Sequence, residues 1–301
     1  MYHIVQKRNW LFVLSLLILI PGLVYFLRFG LQLGIDFTGG TRLTATFASQ
    51  RPTGPEVVET LKPLALGQMS GQTAGDHDLI IRLPSVTNEQ RQEILALLNT
   101  KYGGATEKEF ESVGPIIGRE LLQRAGLAIG LVLLAIVLYI SWAFRRVNIG
   151  PVPAWAYGLA AIIALIHDVF IVIGVFAILG HHLDYEVDSL FVTALLTVLG
   201  FSVHDTIVVF DRVRERLIVG AESTFEDTVN VSLNQTLVRS INTSLTTLLV
   251  LTVLFLFGGS TIQSFVLALI IGIASGTYSS IFVAAPLLVV YERWRSRRKN
   301  R

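Results

Sequence analysis

The chain has 301 residues, 52% hydrophobic and 15% charged, with mean hydropathy +0.61. An average soluble domain is about 25% charged, so these values exclude an ordinary soluble globule and a disordered chain. Cysteine is absent, which excludes disulfides, thiolate metal sites, iron–sulfur clusters and a cysteine nucleophile, and the net charge of +2 makes no case for nucleic acid as a partner.

The first apolar run is Trp10–Leu27, preceded by Lys7 and Arg8. It is longer than the roughly 7–15 residues of a signal-peptide core, and no A-x-A-like site follows. It is therefore read as a membrane span rather than a cleaved leader. A polar insert of close to 98 residues follows, from about Arg28 to Ala125. Within it Thr41–Phe47 reads as a strand, ending at Ser49, Gln50 and the Arg-Pro pair at 51–52. Pro55–Leu66 reads as a short helix with Pro55 in its first turn. His77–Leu83 is a second strand stopped by Pro84. Asn88–Asn99 has helical spacing at Ile94, Leu95, Leu97 and Leu98. Ala105–Val113 is a third strand. The order β-α-β-α-β predicts a small α/β domain of ferredoxin-like type. Gly67–Gly75, with three glycines, reads as a mobile loop.

Five further apolar runs follow: Gly126–Phe144, Pro151–Leu179, Ser189–Phe210, Ile241–Gly258 and Ser264–Val290. A helix of roughly 20 apolar residues crosses a bilayer core. The fold class is therefore a membrane α-helical protein with six transmembrane helices and one extracytoplasmic α/β domain between helices 1 and 2. Residues 1–28 hold the N-terminus and span 1, 29–125 the outer domain, 126–292 spans 2–6, and 293–301 a basic tail. Ala221–Leu237 places Phe225, Val229, Leu233 and Leu237 on one face. The segment 211–238 is expected to include an amphipathic helix lying on the cytoplasmic membrane surface.

Lys and Arg flank one set of ends: Lys7, Arg8, Arg145, Arg146, Arg212, Arg214, Arg216, Arg239 and the cluster from Arg293 to Arg301. The short opposite loops, His181–Asp188 and Gly259–Gln263, have none. Both termini are therefore expected in the cytoplasm. The basic tail is expected to bind anionic lipid.

A charge at mid-bilayer costs at least about 2.5–3.5 kcal/mol, so intramembrane ionisable residues point to function. Asp168 in span 3 and Asp205 in span 4 qualify, with His167 and His204 directly before them. The bland reading is that each Asp is a buried hydrogen-bonder holding helices together. Asp205 is about 9 Å inside the cytoplasmic surface by helical rise from Asp211. Arg239 opens a stripe with Asn242, Thr243 and Thr246 on span 5; Thr193, Thr197, Gly200 and His204 form another on span 4. If these faces meet, Asp205 and Arg239 can pair, and a helix motion that parts them would make a proton relay. For Arg239 the plain alternative is positive-inside anchoring. Small residues recur every four positions at Ala268, Gly272, Gly276, Ser280 and Ala284, and at Gly126 and Gly130, which favours close helix packing.

Enzyme readings are weak. No Gly-x-Gly-Asp motif precedes either aspartate, and Ser202, His204 and Asp205 scatter over different faces of one helix. No Gly-x-Ser-x-Gly elbow or phosphate loop is present. His181, His182 and Asp184 are read as a surface group rather than a metal site. No cofactor or metal is expected.

Several stretches together resemble the SecF family of protein-export membrane subunits. Gly34-Ile35-Asp36-Phe37-Thr38-Gly39-Gly40-Thr41 is similar to its G-x-D-F-x-G-G-T signature after span 1. Val113-Gly114-Pro115 with Gly118 resembles the motif before span 2, and Leu165-Ile166-His167-Asp168 its HD motif. Ser202 through Glu215 resembles the end of span 4, and Asn234 through Arg239, Thr243-Ser244 and Thr246-Thr247 the start of span 5. The resemblance implies half of an RND-type transporter that pairs with SecD. It implies association with the SecYEG channel and, in many bacteria, YajC. It implies use of the proton-motive force to move unfolded preproteins outward across the bacterial cytoplasmic membrane. The family's proton-linked Asp and Arg match Asp205 and Arg239, with Asp168 at the HD position. His204 is a local departure, where many relatives carry Asn. Asp36, Gly39, Gly40, Gly114 and Gly118 fall in the two joints flanking the outer domain. Glycine there hinges the joint or permits tight turns, and Asp36 caps or braces it. The rival readings are an RND-type half-transporter for lipids or small molecules, which would need a pocket in the outer domain, and a scaffold in which Asp205 is dispensable.

Overall fold

The computed structural model describes residues 2–48, 51–144 and 150–299. Ser49, Gln50, Arg145, Arg146 and Arg301, used above to bound a strand and to orient the chain, lie outside the described residues. The chain forms two compact units. One holds Met1–Leu31, Ala128–Tyr185 and Leu190–Arg301; the other holds Gln32–Leu127 and Glu186–Ser189.

Among the described residues the smaller unit has four strands and two longer helices, besides a single helical turn at Ile35–Thr38: β1 (Gly40–Phe47), α2 (Gly54–Leu61), β2 (Ser70–Ala74), β3 (Asp78–Leu83), α3 (Asn88–Tyr102) and β4 (Ala105–Val113). Here α1 is kept for Arg8–Phe29 of the larger unit. All pairings are antiparallel in the order β2-β3-β1-β4. Alternation along β1 and β3 sends Leu43, Ala45, Phe47, Leu79 and Ile81 into one core with Val57, Leu61, Ile94 and Leu98 from the helices. Full burial of each such Leu or Ile is worth about 1.5–3 kcal/mol. The α3 start is a capping box. The Thr87 amide donates to Gln90 Oε1 at 2.9 Å, and the Gln90 amide donates back to Thr87 Oγ1.

The glycine-rich stretch 67–75 is not a loop throughout. Ser70–Ala74 is an edge strand paired to β3. It carries Ser-Gly-Gln-Thr-Ala, with no alternation of apolar residues to announce it. Its order comes from the ladder and from a close approach of backbones. A Cβ on Gly71 would stand 2.7 Å from Gly54 Cα. The α/β class holds, with a fourth strand that the residue pattern does not reveal.

Among the described residues, six helices are long and apolar enough to cross a membrane: α1, α4 (Pro115–Ala143), α5 (Ala154–Leu183), α6 (Ser189–Val219), α7 (Phe225–Phe257) and a last one made of α8 and α9. The last is α8 (Ser260–Ser279), a five-residue π segment Ser280–Ala284, and α9 (Ala285–Lys299). The most apolar windows of α5, α6 and the last helix are half or more buried, while that of α4 is not buried at all. Accordingly a Cβ on Gly126 or Gly130 would meet open space, so that small-residue row makes no close packing among the described residues.

The expected surface-lying helix is not a separate element. Phe225, Val229 and Leu233 open α7, which runs uninterrupted into the fifth span. These residues bury in the same cluster as Val209, Phe210 and Leu288. A four-residue apolar repeat is identical for a helix on a membrane and one on a protein core, so the pattern alone does not separate them. The basic tail likewise continues α9 as helix. Arg293 pairs with Glu226, and Arg295 Nη1 donates to Pro151 O at 2.9 Å. The N-terminal segment is strapped to α7 by two asparagines. The Tyr2 amide donates to Asn234 Oδ1 (2.7 Å), and the Ile4 amide donates to Asn230 Oδ1 (2.9 Å). Both side-chain amides donate back to Tyr2 O.

Candidate functional site: two buried carboxylates in the helical unit

Asp168 is fully buried on α5 and is surrounded by donors. Ser202 Oγ of α6 donates to it at 2.6 Å, and Ser275 Oγ and Ser279 Oγ of α8 each donate at 2.7 Å. His167 Nδ1 lies 3.1 Å from its Oδ1 and donates when that nitrogen carries the proton. Serines at 275 and 279 are four apart, so one face of α8 presents both. The carboxylate thus ties three helices together, and a proton arriving there would displace a donor.

The geometry around α8 explains how they come so close. A Cβ on Gly276 would stand 2.9 Å from Ser202 Cβ, and one on Gly272 would overlap the Val198 side chain. Both glycines therefore lie in the α6–α8 contact. The π segment follows directly after Ser279. Within it Ser280 Oγ lies 2.8 Å from Thr206 Oγ1, so successive serines serve different partners.

Asp205 is also buried, at 7% exposure, but is served differently. Ser240 Oγ of α7 donates to its Oδ1 at 2.7 Å. Its Oδ2 is buried with no hydrogen-bond partner among the described residues. Arg239 is next to Ser240 in sequence, yet no ion pair joins it to Asp205 among the described residues. The expected Asp205–Arg239 pair is not formed in this conformation. Ser240 points inward and Arg239 outward, since adjacent helical positions lie about 100° apart. Arg239 instead lines a cavity of about 330 Å³ with Asp211, Arg212, Glu215 and Gln235. His204 is exposed, as are Thr193, Thr197 and Gly200 of its stripe, and Asn242, Thr243 and Thr246 of the other. The two stripes stay on the surface of the helical unit rather than packing on each other.

The joint motifs interlock within the smaller unit. Gly39 has φ +74° and Gly40 φ +134°, a region that disfavours side chains. A Cβ on Gly39 would stand 2.7 Å from Pro115 Cα, and one on Gly118 2.9 Å from Gly39 N. Gly114 shows no such crowding. The Asp36 carboxylate accepts from the Ser189 amide at 2.9 Å.

Nearby, Glu186 forms an ion pair with Arg82, whose Nη2 also donates to Gln72 at 2.7 Å. Burial holds the Glu186 carboxyl above its usual 4.5, although the Arg82 charge pulls it down. A raised acid pKa gives a stabilisation present below the usual value and lost as pH rises through the raised one. Hydrogen exchange at the Val187 amide is therefore expected to speed in the wild type relative to Glu186→Gln as pH rises above about 4.5. Arg82→Leu at neutral pH is expected to cost about 1–3 kcal/mol, because it strands the carboxylate.

The serine donors Ser202, Ser240, Ser275 and Ser279 are the part of the site that residue types alone do not find. Their sequence traces are the i, i+4 pair on span 6 and Ser202, which opens the span-4 motif.

Six apolar helices around carboxylates buried at helix crossings, with one α/β domain between the first two, define a multi-span membrane protein. The family model described as protein export membrane protein SecD/SecF, C-terminal, matches residues 94–294, and that for the SecD/SecF GG motif matches residues 24–50. The protein translocase subunit SecF of Thermobaculum terrenum is 48% identical, covering 97% of this chain and 94% of that one. That of Anaerolinea thermophila is 44% identical, covering 98% and 96%. The crystal structure of SecDF from Thermus thermophilus, described as a translocon-associated membrane protein, superposes with a TM-score of 0.85 at 33% identity. The match covers 97% of this chain and 39% of that one, so this chain spans about two fifths of SecDF. The chain belongs to the SecF family of protein translocase subunits.

Proposed function

We propose that this chain, as a non-enzymatic subunit beside SecD, uses the proton-motive force to promote preprotein movement through the Sec channel. The observation that carries the reading is the contrast between the two carboxylates. Asp168 is saturated by donors from three helices and acts as a clasp. Asp205 has one donor and one bare, buried oxygen, where a proton can come and go without displacing a partner. Arg239, one residue beyond the Asp205 donor, is the cation that approaches or leaves as the helices shift. With the basic ends facing the cytoplasm, Asp205 is in the inner half of the membrane.

The exposed polar stripes support a membrane-embedded partner. Thr197, His204, Arg239, Asn242 and Thr246 are costly against lipid and are better covered by a second bundle of helices. SecD is that partner in this reading, consistent with relatives in which the chain is part of a longer SecDF. SecYEG and YajC are further partners, and unfolded preproteins the substrate. Copurification from the native membrane tests it. Recovery with a six-span partner and the Sec channel is the expected result. Recovery of this chain alone would favour the half-transporter for lipids or small molecules.

A further inference from the structure

The connector between the third and fourth spans belongs to the α/β unit. Residues Glu186–Ser189 group with Gln32–Leu127. Leu33 and Val187 form a parallel bridge. The Gly34 amide donates to Val187 O at 2.9 Å, and the Val187 amide donates to Gln32 O at 2.8 Å. Glu186 is held by Arg82 of β3. Ser189 is the first residue of α6. Its amide donates to Asp36 Oδ2 at 2.9 Å, and its hydroxyl donates to the same oxygen.

The first amides of a helix have no acceptor within it, and a carboxylate there is favoured by both hydrogen bonding and the helix dipole. Such an acceptor normally comes from the residue just before the helix. Here Asp36 supplies one from 153 positions upstream. A cap supplied from so far away does more than end a helix. It fixes the first turn of α6 to the segment carrying the Gly-rich motif.

We infer that Asp36 is a positioning residue for energy coupling: it caps span 4 by holding Ser189, the residue through which the chain passes from the α/β unit into α6. Asp205 lies on the same helix, 16 residues from Ser189. At about 1.5 Å per residue the two are about 24 Å apart along one continuous rod. A shift of α6 at Asp205 is then delivered to the domain through Ser189, Asp36 and the paired strand at Leu33 and Val187. The α1 and α4 connections also reach the domain, but neither helix carries a buried carboxylate; α5 enters the same connector, but its Asp168 is already occupied by donors. The inference rests on the reading of Asp205 as the proton-carrying group.

The test is Asp36→Ala beside Asp36→Asn, which keeps an acceptor oxygen, in membranes containing the complete export machinery. Three readouts are taken: abundance, hydrogen exchange at the first amides of α6, and export with and without a proton gradient. Asp36→Ala is expected to speed exchange at Ser189 about tenfold. It should reduce gradient-stimulated export severalfold at unchanged abundance and unchanged gradient-independent export. Asp36→Asn should restore most of both. Full stimulation in Asp36→Ala overturns the inference. So does a loss that merely follows falling abundance and is not restored by Asn. If Asp36→Ala does not accumulate, Ser189→Ala, which removes one of the two bonds, is expected to uncouple to a smaller degree, and unchanged stimulation there overturns the inference. Asp205→Asn run in parallel separates the two ideas. Loss of stimulation in that variant, with full stimulation in Asp36→Ala, rejects the cap alone; no loss in Asp205→Asn rejects the underlying reading.

Discussion

Asp205→Asn is expected to accumulate and assemble like the wild type while losing nearly all stimulation of export by the proton gradient. Asn keeps the Oδ1 acceptor for Ser240 and nearly the same volume. Its NH2 replaces the oxygen that has no partner. One unmet buried donor costs about 1–3 kcal/mol, which an assembled membrane complex can absorb. What is removed is ionisation. Export measured in inverted vesicles with and without a proton gradient checks it. Unchanged stimulation would leave Asp205 as a packing residue and support the scaffold reading. Ser240→Ala is the natural companion, since it removes the one donor and leaves both carboxylate oxygens bare.

Asp168→Ala is expected to fail earlier, at folding. Three serine hydroxyls and the His167 ring lose their common acceptor. Interhelical hydrogen bonds in membranes average about 0.6 kcal/mol, and bonds to charged groups reach about 1.5–3 kcal/mol. The hydroxyls can fall back on helix carbonyls, as Ser279 Oγ already does with Gly276 O. A net loss of about 2–4 kcal/mol follows, before any cavity is counted. Abundance in the membrane and the detergent melting temperature should both fall, with Asp168→Asn intermediate. The pair of variants therefore separates two roles that look alike in the sequence. Asp205→Asn keeps abundance and loses coupling, and Asp168→Ala loses abundance first.

The spans were legible because a bilayer demands length and apolarity, and runs such as Pro151–Leu179 supply both without ambiguity. The outer domain was legible wherever apolar residues alternate, as at Leu79, Ile81 and Leu83. It was illegible at Ser70–Ala74, where a polar edge strand is ordered by its neighbour rather than by its own side chains. The amphipathic opening of α7 was visible as a pattern but not as a location. Asp168 and Asp205 stood out because lipid makes carboxylates rare. Their difference did not, because it lies in serines from other helices, and serine in a helix announces nothing by itself. Helical spacing alone allows Arg239 to approach Asp205. Spacing fixes which residues share a face but not which face meets Asp205, and in the structure Ser240, not Arg239, lies on that face.

The strap of Tyr2 and Ile4 on Asn230 and Asn234 has a practical consequence for handling the protein. The backbone at Tyr2 and Ile4 is already committed to a helix that continues into the fifth span. An affinity tag or fluorescent protein joined close to Tyr2 would crowd those two asparagines. A bulky fusion would pry the strap loose and free Arg8 from Glu226, which it meets at 3.1 Å. Reporters are better carried on a long flexible leader, so that the first residues can still lie down on the helix.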